Sequence, residues 1–278
     1  MTLPDGRDLG FTDGGREDGP VVVYLHGAPG SRLDVSSIQT ASWDEGVRVV
    51  APDRPGYGTS SPHPGRAMDH LTRDVAALAE HLGVERFAVI GLSSGGPYAV
   101  ACAALLPDRV LGCGVVSGVT DMGWPSAWDD YDPNEIEMMR CASEADAAAW
   151  AAGHYGADGA GLLTDNSFEW SAPDTAFFSD PATGPAFFES CVDALRQGVA
   201  GYAQDVWVQG RPWPFAPGDV ACPTVVLHGA DDTLVPLRHA EHTAAVIPGA
   251  ALEIRPGHGH VSILTELPAL ARRLVATE

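Results

Sequence analysis

The pentapeptide Gly91-Leu92-Ser93-Ser94-Gly95 has the G-x-S-x-G spacing in which a serine can serve as a nucleophile. A serine hydroxyl is weak at its own pKa. It needs a base to take its proton and hydrogen-bond donors to hold the charge that develops on the substrate. The chemistry such a site offers is acyl transfer. The spacing also chooses between the two serines. Centring the motif on Ser94 puts Leu92 two residues before it, where a side chain would crowd a tight turn, whereas centring it on Ser93 puts glycines at both flanking positions.

Four other stretches hold residues able to act with such a serine. They are His26-Gly27-Ala28-Pro29-Gly30-Ser31, Asp53-Arg54-Pro55-Gly56-Tyr57-Gly58-Thr59-Ser60, His228-Gly229-Ala230-Asp231-Asp232-Thr233-Leu234-Val235-Pro236, and Gly257-His258-Gly259-His260. Each follows a short run expected to be a strand, at 21–25, 47–51, 224–227 and 251–255, and the serine motif follows another at 87–90. A further run lies at 112–116. Runs apolar on both faces suit strands of a parallel sheet covered by helices.

Between the strands, Leu71, Val75, Leu78 and Leu82 recur at helical spacing, with Asp69 available as a cap and Gly83 as a stop. A second helix is expected to start at Pro97, immediately after the serine turn, and others near 239–246 and from Leu267. The expected fold class is α/β, a mostly parallel twisted sheet flanked by helices. Ser93 then sits where a strand turns sharply into a helix, the context that makes its motif informative.

The pattern changes over 121–215, which has no Val- and Ile-rich run, holds six of the seven tryptophans, and carries sixteen acidic residues against three arginines. This stretch is expected to be an inserted, mainly helical cap with an acidic outer face, leaving 1–120 and 216–278 as the core. Trp124 and Trp128, with Trp150 and Trp170, are candidates for lining a pocket over Ser93, which would suit an apolar or aromatic small-molecule substrate. They could equally fill the core of the insertion itself.

With these motifs in this order, the sequence resembles the α/β-hydrolase fold family over nearly all its length outside the insertion. The resemblance implies that Ser93 is the nucleophile, that Asp232 in the G-x-x-D-x-x-x-P turn is the acid, and that His260 is the base. It also implies that the backbone N–H groups of Ala28 and Ser94 form an oxyanion hole. Asp231 or Asp121 could replace Asp232, although the spacing to Pro236 favours Asp232. His258 could replace His260, although the family's base precedes an apolar residue, as Val261 does here. His26 and His228 are expected to brace loops. His239 and His242 lie three apart on a helix without an arranged carboxylate set, and neither a metal nor an organic cofactor is expected.

The function implied is a serine hydrolase that cleaves a small carboxylic ester, thioester or lactone through an acyl-enzyme. Epoxide hydrolases and haloalkane dehalogenases of this fold use Asp where Ser93 stands. Proline iminopeptidases are similar at His26 to Gly30, but usually have Gly in place of Ala28 and a bulky aromatic in place of Ser94. Carbon–carbon bond hydrolases, perhydrolases and lyase- or cyclase-like relatives share the triad, and fold with triad does not fix substrate. A non-catalytic small-molecule receptor is the alternative of a different class, and an intact set of acting groups weighs against it.

Composition narrows the field further. The 278 residues carry 16 basic and 37 acidic side chains for a net charge of −21, and every basic residue is arginine. Without lysine there is no Walker-type phosphate lysine, no Schiff base and no protein-kinase lysine. An acidic chain with no Arg-rich run is repelled by phosphate backbones and anionic membranes, so neither nucleic acid nor membrane is an expected partner. The first fifteen residues include Asp5, Arg7, Asp8 and Asp13 and no apolar run, which predicts neither a signal peptide nor a transmembrane segment and suggests a cytoplasmic protein. The five scattered cysteines, with no CxxC pair, are expected to be reduced thiols, mostly buried.

Overall fold

The computed structural model describes residues 1–37, 46–165 and 169–276. Its centre is a seven-stranded sheet of β1 (Phe11–Gly15), β2 (Val21–Leu25), β3 (Arg48–Pro52), β4 (Phe87–Leu92), β5 (Val110–Val116), β6 (Thr224–Gly229) and β7 (Ala251–Arg255). The strand order is β1-β3-β2-β4-β5-β6-β7. All neighbours are parallel except β1 and β3. Strands β2, β4 and β6 are buried along their whole length, which is why they read as unbroken apolar runs.

Strand β1 is the one the sequence pattern passes over. Its residues, FTDGG, are half-buried or exposed, and it pairs antiparallel with β3 at one edge, with an Arg48–Asp13 ion pair beside the backbone bonds, so no apolar side-chain period marks it.

Helices α1 (His70–His81) and α2 (Gly96–Leu105) cover one face, together with α8 (Leu237–Val246), through Leu71, Val75, Leu78, Tyr98, Val100 and Ala240. Helix α9 (Leu267–Val275) covers the other through Leu267, Leu270, Ala271 and Leu274. Gly83 ends α1 at φ +68, as a helix stop should. Asp69 precedes α1 but makes no side-chain capping bond; the Thr72 hydroxyl donates to its carbonyl instead.

Between β5 and β6 the chain forms α3 (Pro133–Arg140), α4 (Glu144–Tyr155), α5 (Ala172–Ser179), α6 (Gly184–Ala194) and α7 (Ala200–Gln209), with no strand among the described residues. Asp132, Ser143 and Ser171 cap α3, α4 and α5 by accepting the N–H of the residue three further on. Trp124, Trp128 and Trp150 pack on a third cluster that is largely this segment's own core, built around Met138, Met139, Tyr202 and Val206.

The segment docks closely on the loop after β3. A Cβ at Gly56 would lie 2.9 Å from the Gly201 Cα, and one at Gly201 would collide with the Gly56 carbonyl, so two glycines allow the backbones to meet. Among the described residues no helix is long and apolar enough to cross a membrane.

Candidate active site

Ser93 follows the last residue of β4 and precedes α2, and its backbone adopts φ +52, a left-handed conformation that a non-glycine residue reaches only at a cost. The two motif glycines make room for it. A Cβ on Gly91 would strike the Gly95 carbonyl, and one on Gly95 would strike the Leu25 carbonyl. The crowding inferred from the sequence is therefore backbone against backbone, which no rotamer change can relieve.

Asp232 lies on the turn after β6 and His260 on the loop after β7, both beyond the C-terminal ends of parallel strands, the place where open α/β sheets bind ligands. His260 Nδ1 is 2.9 Å from Asp232 Oδ2, with the two side chains only 7% and 1% exposed. Asp232 Oδ1 accepts the N–H groups of Leu234 and Val235 at 2.9 and 3.0 Å, which orients the carboxylate.

Burial alone would raise the Asp232 carboxyl and lower the His260 imidazole. The attraction and hydrogen bond between them outweigh it, so Asp232 sits below the usual carboxylate range and His260 above the ordinary imidazole value.

The competing residues are engaged elsewhere. Asp231 accepts the Gly257 N–H at 3.1 Å on the surface, and Asp121 accepts from Gly123 and Trp213. His258 Nδ1 lies 3.2 Å from the Ser262 carbonyl. His228 is buried near Asp232 and contacts the Val235 carbonyl at 3.1 Å, and its pKa is held down chiefly by desolvation. His239 and His242 meet Thr120, and His242 also stacks on Trp124, so these groups brace the fold.

Ser93, His260 and Ala28 line one cavity of about 320 Å³. Trp124 and Trp128 do not line it. Trp124 stacks on His242 of α8, while the Trp128 indole donates to the Met122 carbonyl, and both pack on the third cluster. The aromatic wall comes instead from Trp170, Phe178, Phe187, Phe188, Tyr131 and Tyr202. Asp34, Asp130, Asp132, Glu135 and Asp165 also face the cavity, and no arginine does among the described residues. Burial pushes the Glu135 carboxyl up to about 7 and that of Asp34 up to about 6.

Two sets of buried polar residues support this site and were not singled out from the sequence. Asp174, on α5 and fully buried, accepts the N–H groups of His260, Val261 and Ser262 at 2.8–2.9 Å and so fixes the loop carrying His260. Arg54, also fully buried, pairs with Asp205 of α7 at 2.7 Å. Asp174 reads in sequence only as the third residue after a helix-capping serine, and Arg54 as one member of a turn motif. Neither partner is near in sequence.

The sequence profile of the alpha/beta hydrolase fold matches residues 20–267. The chain is 28% identical to a bifunctional esterase/perhydrolase of Acinetobacter calcoaceticus, over 99% of this chain and 98% of that one. It is 29% identical to a non-heme chloroperoxidase of Streptomyces lividans, with 99% and 98% covered. The enol-lactonase of Burkholderia xenovorans superposes with a TM-score of 0.72 at 22% identity, covering 98% and 97%, a likeness of fold. The protein belongs to the α/β-hydrolase family, and the family makes it a hydrolase enzyme.

Proposed function

We propose that the protein is a serine hydrolase of small carboxylic esters, extending to thioesters and lactones, that works through an acyl-enzyme on Ser93. The observation that carries this reading is a serine strained at φ +52 in a cavity that also admits His260, whose other ring nitrogen is bound to a buried carboxylate. In this mechanism Ser93 Oγ attacks the carbonyl carbon while His260 Nε2 takes its proton. Asp232 holds the imidazole in the tautomer with a proton on Nδ1 and stabilises the imidazolium. The N–H groups of Ala28 and Ser94 receive the developing oxyanion. Collapse expels the alcohol, which takes the proton from His260, and water then repeats the sequence to release the acid. The segment between β5 and β6 acts as the cap, and its aromatic wall favours apolar or aromatic groups on the substrate.

A second reading, perhydrolysis, draws support from the likeness to the bifunctional esterase/perhydrolase of Acinetobacter. Here hydrogen peroxide in place of water attacks the acyl-enzyme and leaves as the peracid. The first test is hydrolysis of p-nitrophenyl acetate and butyrate by wild type and Ser93→Ala, with intact-protein mass spectrometry after a fluorophosphonate probe. Turnover should fall by several powers of ten in the variant, with a single adduct on Ser93 of wild type. An unmodified wild-type protein, or an adduct with no turnover of any ester, would overturn the hydrolase reading in favour of a closed site or a receptor.

A further inference from the structure

One guanidinium stands behind the loop that follows β2 and touches both arms of the proposed oxyanion hole. Arg54 Nη2 donates to the Gly27 carbonyl at 3.1 Å, to Ser94 Oγ at 3.0 Å and to Asp205 Oδ2 at 2.7 Å, while Nη1 donates to the His26 carbonyl. The Arg54 backbone N–H donates to His26 Nε2 at 3.0 Å. With that nitrogen accepting, the proton of the neutral, fully buried ring is on Nδ1, which donates to the same Gly27 carbonyl at 2.7 Å. The Gly27 carbonyl thus receives two donors, one of them charged.

The consequence follows from the geometry of a peptide. The Gly27 C=O and the Ala28 N–H belong to one planar, trans unit and point in opposite directions. Pinning the carbonyl on Arg54 and His26 fixes the direction of the Ala28 N–H. Donation to the carbonyl also polarises the amide and strengthens its N–H as a donor. The contact with Ser94 Oγ steadies the residue that supplies the second N–H.

Arg54 shares Asp205 with Arg66, whose Nη2 lies 2.5 Å from Asp205 Oδ1, and all three side chains are at most 1% exposed. Two buried cations on one carboxylate leave positive charge in excess, directly behind the place where the substrate oxygen becomes negative.

We propose that Arg54 is a positioning residue for the oxyanion hole, aiming the Ala28 and Ser94 donors and adding buried positive charge behind them, with Asp205 of α7 holding the guanidinium in place. The proposal rests on the acyl-transfer reading above. It also means that the segment between β5 and β6 reaches the reacting atoms through Arg54 as well as over the mouth of the cavity.

The test is Arg54→Met beside Arg54→Lys. Methionine fills much of the volume and leaves Asp205 paired one-to-one with Arg66, so the excess positive charge is removed and no buried carboxylate is left unpaired; lysine keeps the cation without the fork. The readouts are kcat and KM for p-nitrophenyl butyrate, the inhibition constant of an aryl trifluoromethyl ketone, the rate of fluorophosphonate labelling, and the melting temperature.

In folded Arg54→Met, kcat, labelling rate and ketone affinity should each fall by about tenfold to a hundredfold with KM changed by less than about threefold, because only tetrahedral species use the hole. Arg54→Lys should recover part of the loss. Unchanged kcat in a folded variant, equal losses in kcat and KM, or unfolding of both variants would overturn the proposal and leave Arg54 a stability residue. Wild type that fails to label at Ser93 would overturn the acyl-transfer reading first, a result distinct from any of these.

Discussion

At the scale of single residues, the site depends on charges whose environments pull them apart. Asp232 is held ionised and His260 is drawn upward by it, so the proposed base is protonated over a wider range of pH than a free imidazole. Neutral His260 is the form that can accept the Ser93 proton. Activity should therefore fall as pH drops, with the acid limb of kcat/KM above the free-imidazole value of about 6.5. In Asp232→Asn the carboxylate that raises the imidazole is gone, so the limb of the residual activity should move to lower pH. A profile flat from pH 5 to 8 in wild type, or a limb that stays in place in the variant, would count against these roles. Stopped-time assays of p-nitrophenyl butyrate hydrolysis across that range supply the measurement.

At the scale of elements, the residues proposed to act lie on turns, and each turn is fixed by something rigid. Ser93 is fixed by backbone crowding between β4, α2 and β2 at Gly91 and Gly95. The His260 loop is fixed by Asp174 from α5, which accepts three consecutive N–H groups. Asp174→Ala leaves those three donors buried without an acceptor, at a cost of about 3 kcal/mol or more, which lowers the melting temperature by on the order of 10 °C. Because the loop that loosens carries the base, kcat should fall more than KM rises. Differential scanning fluorimetry with steady-state kinetics checks both, and an unchanged melting temperature would show that the loop holds itself.

At the scale of the whole molecule, the excess of acid over base reaches into the cavity. Five acidic residues and no arginine line it among the described residues, within a chain of net charge −21, and burial opposes the ionisation of Asp34, Asp132 and Glu135 among them. An ester bearing its own carboxylate has to enter that field. The kcat/KM for p-nitrophenyl hemisuccinate should be lower than for p-nitrophenyl butyrate by about tenfold or more, equivalent to about 1.4 kcal/mol of repulsion, with the gap narrowing as salt is added. Equal rates for the two esters at low salt would mean that substrate avoids the acidic wall. The same scale explains why, of the four candidate tryptophans, Trp170 lines the cavity while Trp124, Trp128 and Trp150 pack on the third cluster. Trp124 is stacked on His242 of α8 and Trp128 is tied to the Met122 carbonyl, while the aromatic wall is drawn from Trp170, α5, α6, Tyr131 and Tyr202 instead.

The sheet and the tight turn that carries Ser93 were legible in the chain for a local reason. A strand buried on both faces is written as a continuous apolar run, and a turn that admits no Cβ is written as glycine, so β2, β4, β6 and the Ser93 motif each carry their signal within a few neighbouring residues. Edge strand β1, half-buried or exposed along its length, left no such mark. What only the tertiary structure decided are the buried polar contacts made across the fold. Arg54 meets Asp205 over 151 positions of sequence, and Asp174 meets the His260 loop over 86. A hydrogen bond is specified by position in space, and at such separations neither periodicity nor spacing along the chain records which donor will face which acceptor.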